Sequence, residues 1–500
     1  MSHVPSEERL RVVRTNIAAV QVIVETVSGT LGPKGLDVLL VDELGRIILT
    51  NDGIEILRQL DAQHPCARLV IQAIEAQETA VGDGTTTATV MAGALLESAL
   101  LALQKGVPVN PILSGMSKAV SVAVHALEEM AQPVPFDSPL LLQTALIAAR
   151  GDETLAQLVV EGVRTLGPEK LKDPEFRLSS VIAPRLGQAS QLVAGTVLSK
   201  PALNPPLISW EKAGGVLVIA DALEPESLDP QALGTESGFN QYLAAQNRFR
   251  EALQNLSGRG IVVLLAEKSI DPAALDVLNQ LGVLAFERVS RRDWQRICRF
   301  TGAAPITRRA LASKNLPLGK AQARYSGEQA RLLFTEGAGE PTVTLQVGAI
   351  SNEVLAENVR VTTDSCGAVQ AALRMGIVAG GGAAEVACRP AVQQLLEQTQ
   401  TLERFGIQSV LEALSRPLEQ MLSNAGYAPL EKSAQVLAQQ RIEQNPHLGI
   451  DQETGNITDL WQLGIVDPTE VKTHALRVAS EIAGRVLRIQ TIVRKREESL

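Results

Sequence analysis

The stretch Gly82-Asp83-Gly84-Thr85-Thr86-Thr87 combines the groups that a phosphate-binding turn needs. Flanking glycines let backbone N–H groups approach an anion, and a helix starting behind them adds positive potential. Three hydroxyls can donate to phosphate oxygens, and Asp83 can hold Mg²⁺. The same residues also read as a β-turn with a threonine N-cap, although three threonines in a row are poor helix starters on propensity alone. Thr30-Leu31-Gly32-Pro33-Lys34-Gly35 is a second glycine-rich element. Alone it is a helix stop, and Lys34 reads equally as a solvated turn residue or a phosphate ligand. The spacing GxxxxGK[ST] occurs nowhere, so a P-loop is not supported.

Three further acidic residues stand beside turn formers. Asp52 lies in Thr50-Asn51-Asp52-Gly53, whose simplest role is to close a turn. Asp364, in Val361-Thr362-Thr363-Asp364, precedes Gly380-Gly381-Gly382 and could be an N-cap; the three glycines permit close approach to a ligand or form a hinge. Asp467-Pro468-Thr469-Glu470 has the N-cap, N1-proline and capping-box pattern and is explained by helix capping alone.

The elements that must position these residues follow from periodicity. Apolar residues at helical spacing predict helices near 66–80, 85–105 and 112–131, and again near 404–424 and 468–490. Val38–Val41 and Arg46–Thr50 read as a hairpin joined by Asp42-Glu43-Leu44-Gly45. Pro133, Pro135 and Pro139 mark a boundary. From about 188 the pattern changes to continuous apolar runs, Val216–Ala220, Ile261–Ala266 and Val283–Phe286, alternating with helices capped at Asp271 and Ser290, as in an α/β domain with strands buried on both faces. Residues 221–238 are rich in Pro, Glu, Asp, Gly and Ser and lead into a helix carrying Phe239, Tyr242, Leu243, Phe249, Leu253 and Leu256. They read either as a projecting insertion or as a surface loop before a core helix. The helical character returns after about 380, so the two chain ends look like halves of one domain.

Composition bounds the function. The 500 residues carry 46 Lys+Arg and 55 Asp+Glu, a formal charge of −9, with 45% hydrophobic and 3% aromatic residues, which excludes disorder and predicts about three domains. No basic patch dominates, so nucleic acid and anionic lipid are not expected partners. The first residues lack the order of a signal peptide and no membrane-length apolar run is read, so a soluble cytoplasmic protein is expected. Cys66, Cys298, Cys366 and Cys388 are scattered without a CxxC and read as buried thiols.

Taken in order, these motifs resemble the chaperonins, ATP-driven ring-shaped folding machines, over essentially the whole chain. Leu31-Gly-Pro-Lys-Gly-Leu-Asp-Val-Leu-Leu-Val-Asp, Thr50–Gly53 and His64-Pro65 are similar to the archaeal and eukaryotic branch, whose members carry a built-in lid. Ile147–Thr154 and Val466–Val471 are similar to the co-chaperonin-dependent branch, and the mixture resembles the lidded group III chaperonins of some bacteria. The C-terminal Arg494–Leu500 lacks the Gly-Gly-Met tail of the co-chaperonin-dependent members.

The resemblance implies a multi-domain α and α/β fold with an equatorial ATPase domain (1–136 and 383–500) that is mainly α-helical and discontinuous. It implies a small α/β intermediate domain (137–187 and 346–382) and an α/β apical domain (188–345) with a helical protrusion at about 222–250. It also implies ATP and Mg²⁺ as cofactors, with K⁺ near Thr30. Leu31, Gly32 and Pro33 would touch nucleotide, Asp83 would ligate Mg²⁺, and Gly84, Thr85, Thr86 and Thr87 would hold phosphates. Gly381 and Asp467 would contact the nucleoside. Asp52 and Asp364 would flank the attacking water, Asp364 arriving as the intermediate domain swings down. The implied assembly is a double ring of identical subunits that encloses non-native client proteins without a separate co-chaperonin. Helix faces near Leu275, Leu278 and Leu281 read as client-holding surfaces or core packing. A chaperonin-like scaffold that binds proteins without turnover is the alternative, and a monomeric small-molecule kinase is a third reading.

Overall fold

The computed structural model describes residues 7–41, 47–173, 175–206, 210–226, 236–313 and 315–492. They fall into two compact units. One comprises Met1–Val160, Pro168–Ser180 and Ala356–Leu500, and so takes in both ends of the chain; the other comprises Glu161–Gly167 and Val181–Leu355.

The first unit is built from long helices: Glu7–Ser28, Pro65–Val81, Thr85–Gln104, Val109–Met130, Arg404–Asn424 and Thr469–Arg488. Their apolar stripes converge on one core containing Val20, Ile23, Met91, Leu95, Ile112, Met116, Leu414 and Ile482. The helix Thr85–Gln104 is apolar almost all round because helices Glu7–Ser28, Arg404–Asn424 and Thr469–Arg488 all pack on it. Its length and mean hydropathy of 1.5 match a membrane span, which corrects the sequence reading that no such run exists. The interspersed Thr, Gly and Ser hide the run by eye, and the helix is the buried centre of the unit.

Glycines set how closely the chain's two ends meet. A Cβ on Gly115 would fall 1.9 Å from the Glu403 carbonyl oxygen, and one on Gly406 would fall 1.9 Å from that of Ile112. Backbone therefore touches backbone where helix Val109–Met130 crosses the start of helix Arg404–Asn424.

Local chemistry matches most of the expected elements. Strands Val38–Val41 and Ile47–Thr50 pair antiparallel with Val38 opposite Thr50, while the expected turn at Asp42–Gly45 lies outside the described residues. His64 caps helix Pro65–Val81, accepting from the Cys66 N–H at 3.2 Å, with Pro65 in the first turn. All four cysteines are free and buried.

Two capping expectations are overturned. Asp364 lies in the interior of helix Asn352–Met375, so it caps nothing. Asp467 lies in strand Val466–Pro468, paired antiparallel with Ile377–Ala379; the following helix begins at Thr469, with Pro468 at its N-cap position and no side-chain cap. The ladder pulls residue 467 into extended backbone, where its carboxylate turns to a different partner.

The second unit contains a six-stranded sheet in the order Thr196–Ser199, Arg331–Thr335, Gly319–Ser326, Trp210–Ile219, Ile261–Ala266, Leu284–Phe286. The last three strands are parallel and the others antiparallel. Val216 and Val218 face a cluster with Phe286, Trp294 and Ile297, whereas Leu217 and Ile219 face one with Leu253, Leu256 and Leu278. Burial on both faces is why these strands read as unbroken apolar runs. Asp271 and Ser290 cap the helices Pro272–Gln280 and Arg291–Thr301 as expected. A three-stranded sheet orders Ile182–Leu186, Val343–Ala349 and Gln191–Ala194.

Of the expected insertion, 227–235 lies outside the described residues. The helix that follows, Glu236–Gln254, divides in role: Phe249 and Leu253 are core, while Tyr242 and Leu243 are exposed. Leu278 is fully buried and Leu275 and Leu281, partly buried, pack against the same cluster, which favours the core-packing reading of that face.

The substitution Gly406→Ala is expected to destabilise the helical unit by about 1–3 kcal/mol, because overpacking against backbone cannot relax by a rotamer change. A lowered thermal midpoint would show it, with the exposed Gln408→Ala as a control that leaves the midpoint nearly unchanged.

Candidate functional site

Two left-handed glycines shape the loop around Asp83. Gly82 (φ 79) ends helix Pro65–Val81, and Gly84 (φ 78) occupies the N-cap of helix Thr85–Gln104, where a Cβ would fall 2.7 Å from Val471 Cγ1. The Gly84 N–H donates to Asp83 Oδ1 at 2.6 Å, and Gln77 Nε2 donates to the Asp83 carbonyl at 2.9 Å. Gly84 has no side chain to cap the helix, so the first amides of a 20-residue helix, at Thr85, Thr86 and Thr87, are left for an anion. The N-cap is thus glycine, not threonine as the bland sequence reading had it.

The loop Thr30–Gly35 is held from the other end of the chain. Asn424 Nδ2 donates to the Ser28 and Leu31 carbonyls, both at 2.9 Å, and Gly32 (φ 88) packs against Met421. Thr30 is buried, its hydroxyl donating to the Val27 carbonyl at 2.9 Å. Pro33 follows Gly32 in the same loop. Lys34 pairs with Glu453 at 2.6 Å on the surface, which favours its reading as a solvated turn residue.

The acidic residues converge on the Asp83 loop. Asp52 caps helix Gly53–Gln59, its Oδ1 accepting from the Ile54 N–H at 3.2 Å. A Cβ on Gly53 would fall 2.3 Å from Thr86 Oγ1, so glycine lets this turn sit against the first turn of helix Thr85–Gln104 without displacing that hydroxyl. A Cβ on Gly367, three residues after Asp364, would fall 2.9 Å from the Val81 carbonyl oxygen, which brings helix Asn352–Met375 against the same loop. Arg360 joins the two acids: its Nη1 donates to Asp52 Oδ2 at 2.9 Å and to Asp364 Oδ2 at 3.2 Å. Glu357 accepts from Arg360 Nε at 3.0 Å and Nη2 at 2.5 Å, and Arg150 Nη1 reaches Glu357 at 3.4 Å.

This crowding perturbs the carboxyl groups. Burial, with the charges of Asp467 and Asp52, raises the Asp83 carboxyl, opposed by the Gly84 N–H and Lys472. Asp364 is pushed well above the usual carboxylate range by burial and by Asp52, Glu78 and Asp83, with Arg360 pulling the other way. Glu78 rises from 4.5 to about 7, mainly through burial and then through Asp52 and Asp83. Among the described residues no three His, Cys, Asp or Glu side chains form a chelating group. One buried carboxylate beside open amides and hydroxyls suits Mg²⁺, which keeps its waters and binds through one or two carboxylates plus substrate phosphates. Asn51 Oδ1, buried without a hydrogen-bond partner, is a further hard oxygen in the neighbouring turn that carries Asp52.

Behind the loop lies a buried charge triad. Lys472 Nζ contacts Asp467 Oδ2 and Glu385 Oε1, both at 2.7 Å, with Lys472 9% and Glu385 1% exposed. Burial alone would lower the lysine's pKa, but the two carboxylates outweigh it and hold the ammonium charged. A Cβ on Gly380 would lie 3.2 Å from Asp467 Oδ2, and Gly381 (φ 60) and Gly382 (φ 79) turn the chain into helix Ala383–Ala387. Sequence reading missed Glu78, Arg360, Glu385, Asn424 and Lys472. The spacing of Arg360 one turn before Asp364 is a signal that was available; the others carry no motif.

The matches to known proteins fall on this same architecture. Residues 23–497 match the model of the TCP-1/cpn60 chaperonin family. The chain belongs to that family. A thermosome subunit of Pyrococcus abyssi is 32% identical over 504 residues, covering 96% of this chain and 90% of that protein. A thermosome subunit of Methanopyrus kandleri is 32% identical, covering 97% and 92%. The crystal structure of a group III chaperonin in the open state matches with a TM-score of 0.87 at 36% identity, covering 97% of this chain and all of that one. The chain is therefore an ATP-dependent chaperonin of the group II-like kind, with the multi-domain α and α/β fold expected of it.

Two outcomes follow from the chaperonin's buried charges. Lys472→Ala strands Glu385 and Asp467 without a cation and is expected to cost about 3–5 kcal/mol in thermal or denaturant unfolding. Because the Glu78 carboxyl lies higher in the folded chain (about 7) than its ordinary 4.5, the folded state holds an extra proton in that window, and stability falls as pH rises through it. Glu78→Gln should remove that slope, so the variant gains on the wild type above pH 7 and matches it below about pH 4.5, as pH-dependent melting without nucleotide would show.

Proposed function

We propose that this chaperonin subunit hydrolyses Mg-ATP at the Asp83 loop and uses the cycle to enclose and refold non-native proteins. The observation that carries the reading is the gathering of Asp52, Asp83 and Asp364 around one uncapped helix N-terminus. The amides and hydroxyls of Gly84, Thr85, Thr86 and Thr87 take the phosphate oxygens, while Leu31, Gly32 and Pro33 line the nucleotide. Gly381 and Asp467 lie at the nucleoside end, where Lys472 Nζ holds the Asp467 carboxylate at 2.7 Å. Asp83 would hold Mg²⁺, which supplies charge neutralisation on the transferring phosphoryl group. Asp52 and Asp364 orient the attacking water and accept its proton, a contribution of typically about 10²–10⁴-fold. The raised carboxyl of Asp364 suits a group that must accept a proton. K⁺ near Thr30 belongs to the same reading.

The division into an equatorial domain (1–136, 383–500), an intermediate domain (137–187, 346–382) and an apical domain (188–345) is part of the proposal, as is a built-in lid at about 222–250. So are a double ring of identical subunits, independence from a separate co-chaperonin and a cytoplasmic location. Binding of ATP drives closure only through a higher affinity for the closed state. The family match and the intact acidic set support turnover over a scaffold that binds without hydrolysis.

Steady-state phosphate release from purified protein with Mg²⁺ and K⁺ is expected to be measurable, and Asp364→Ala should lower it at least about 10²-fold. Light scattering should find particles far larger than one 53.3 kDa chain. Wild-type particles that bind ATP without releasing phosphate would favour the scaffold; a monomer yielding a phosphorylated small molecule would favour the kinase.

A further inference from the structure

We propose that Arg360 is the positioning residue of the hydrolytic pair, a single guanidinium that sets Asp52 and Asp364 on either side of one water. The inference rests on the hydrolytic reading above and goes beyond it by assigning the group that assembles the pair. Asp52 comes from a turn near the start of the chain and Asp364 from the middle of helix Asn352–Met375, and like charges drawn together from such distant positions repel. One nitrogen resolves the conflict: Nη1 directs its two protons to Asp52 Oδ2 at 2.9 Å and Asp364 Oδ2 at 3.2 Å. Those two contacts limit the separation of the oxygens to a gap that one water, hydrogen-bonded to both, can span.

The guanidinium cannot wander. Its remaining nitrogens are taken by Glu357, which sits one turn earlier on the same helix and is itself gripped by Arg150. A planar fork held on one edge by a carboxylate presents its opposite corner at a set angle. Lysine, a point charge on a flexible stem, could neutralise the pair without fixing it. The side chains of Arg360, Asp52 and Asp364 are only 17%, 13% and 18% exposed, so solvent screens the contact weakly.

The groups that face Asp364 are Arg360, Asp52, Glu78 and Asp83, and those that face Glu78 include Arg58 and Arg360. Arg360 is the cation set directly against the acid that takes the proton. It therefore has two effects: it positions the two carboxylates, and it opposes the burial and neighbouring acids that push the Asp364 carboxyl up.

The test compares assembled wild-type protein with Arg360→Gln, Arg360→Lys and Glu357→Gln, measuring ATP turnover across pH and the affinity for Mg-ADP. Arg360→Gln should lower kcat about tenfold or more while KM and the Mg-ADP affinity change little, as for a group whose effect is confined to positioning the reacting atoms. Its acid limb should move to higher pH, because without the cation Asp364 holds its proton longer. Arg360→Lys should restore the acid limb but only part of kcat, and Glu357→Gln should lower kcat more mildly. Particle size and melting temperature identify any variant that fails to assemble, in which case Arg360→Lys carries the comparison. An Arg360→Gln enzyme with unchanged kcat and acid limb overturns the proposal, as does a parallel loss of kcat and nucleotide affinity with no pH shift. A wild type that hydrolyses nothing instead removes the ATPase reading itself, and this inference with it.

Discussion

The structure around the Asp83 loop depends on bringing carboxylates together out of water. Burial raises the carboxyls of Glu78, Asp83 and Asp364, and the neighbouring charges of Asp52, Glu78 and Asp83 add to the effect. Such a group is costly unless a cation answers it. Arg360 answers part of the charge by binding two members at once, and Lys472 answers a second set, Asp467 and Glu385, behind the loop. A chain built for stability alone would replace these charges with apolar groups at no loss. Under the proposed function, their gathering in the helical unit would serve a magnesium-bound phosphate, whose metal supplies further positive charge.

The backbone is arranged to permit that gathering. Gly53 lets the Asp52 turn touch Thr86, Gly367 lets helix Asn352–Met375 touch the Asp83 loop, and Gly84 leaves the helix amides uncapped. At each position a methyl group would meet neighbouring atoms, or backbone with positive φ would disfavour a side chain. The loop Thr30–Gly35 is held to the opposite end of the chain by Asn424. The site is thus assembled from both chain ends, and the packing of helix Val109–Met130 on helix Arg404–Asn424 is part of its foundation.

Some of this was legible in advance. The helices near 66–80, 85–105 and 404–424 stand within a few residues of their predicted places, because each buries an apolar stripe whose period shows in the sequence. The strands Val216–Ile219 and Ile261–Ala266 were legible because both faces are covered. Capping logic succeeded at Asp271 and Ser290, where nothing competes for the side chain, and failed at Asp467. There a strand ladder set the backbone and a buried lysine claimed the carboxylate. Asp364 misled for a related reason: an acid beside threonines reads as a cap, yet helix Asn352–Met375 runs straight through it.

What the residues alone determined was the local vocabulary: which segments coil, which extend, where the glycine turns fall, and, through the order of six short motifs, a resemblance to the chaperonins. Those properties depend on neighbours a few positions away. Only the tertiary structure decided who answers whose charge. Arg360 lies 308 positions from Asp52, and Lys472 meets Glu385 across most of the C-terminal segment. Electrostatics acts through space with a strength set by distance and burial, and neither quantity is written in the spacing of residues along a chain.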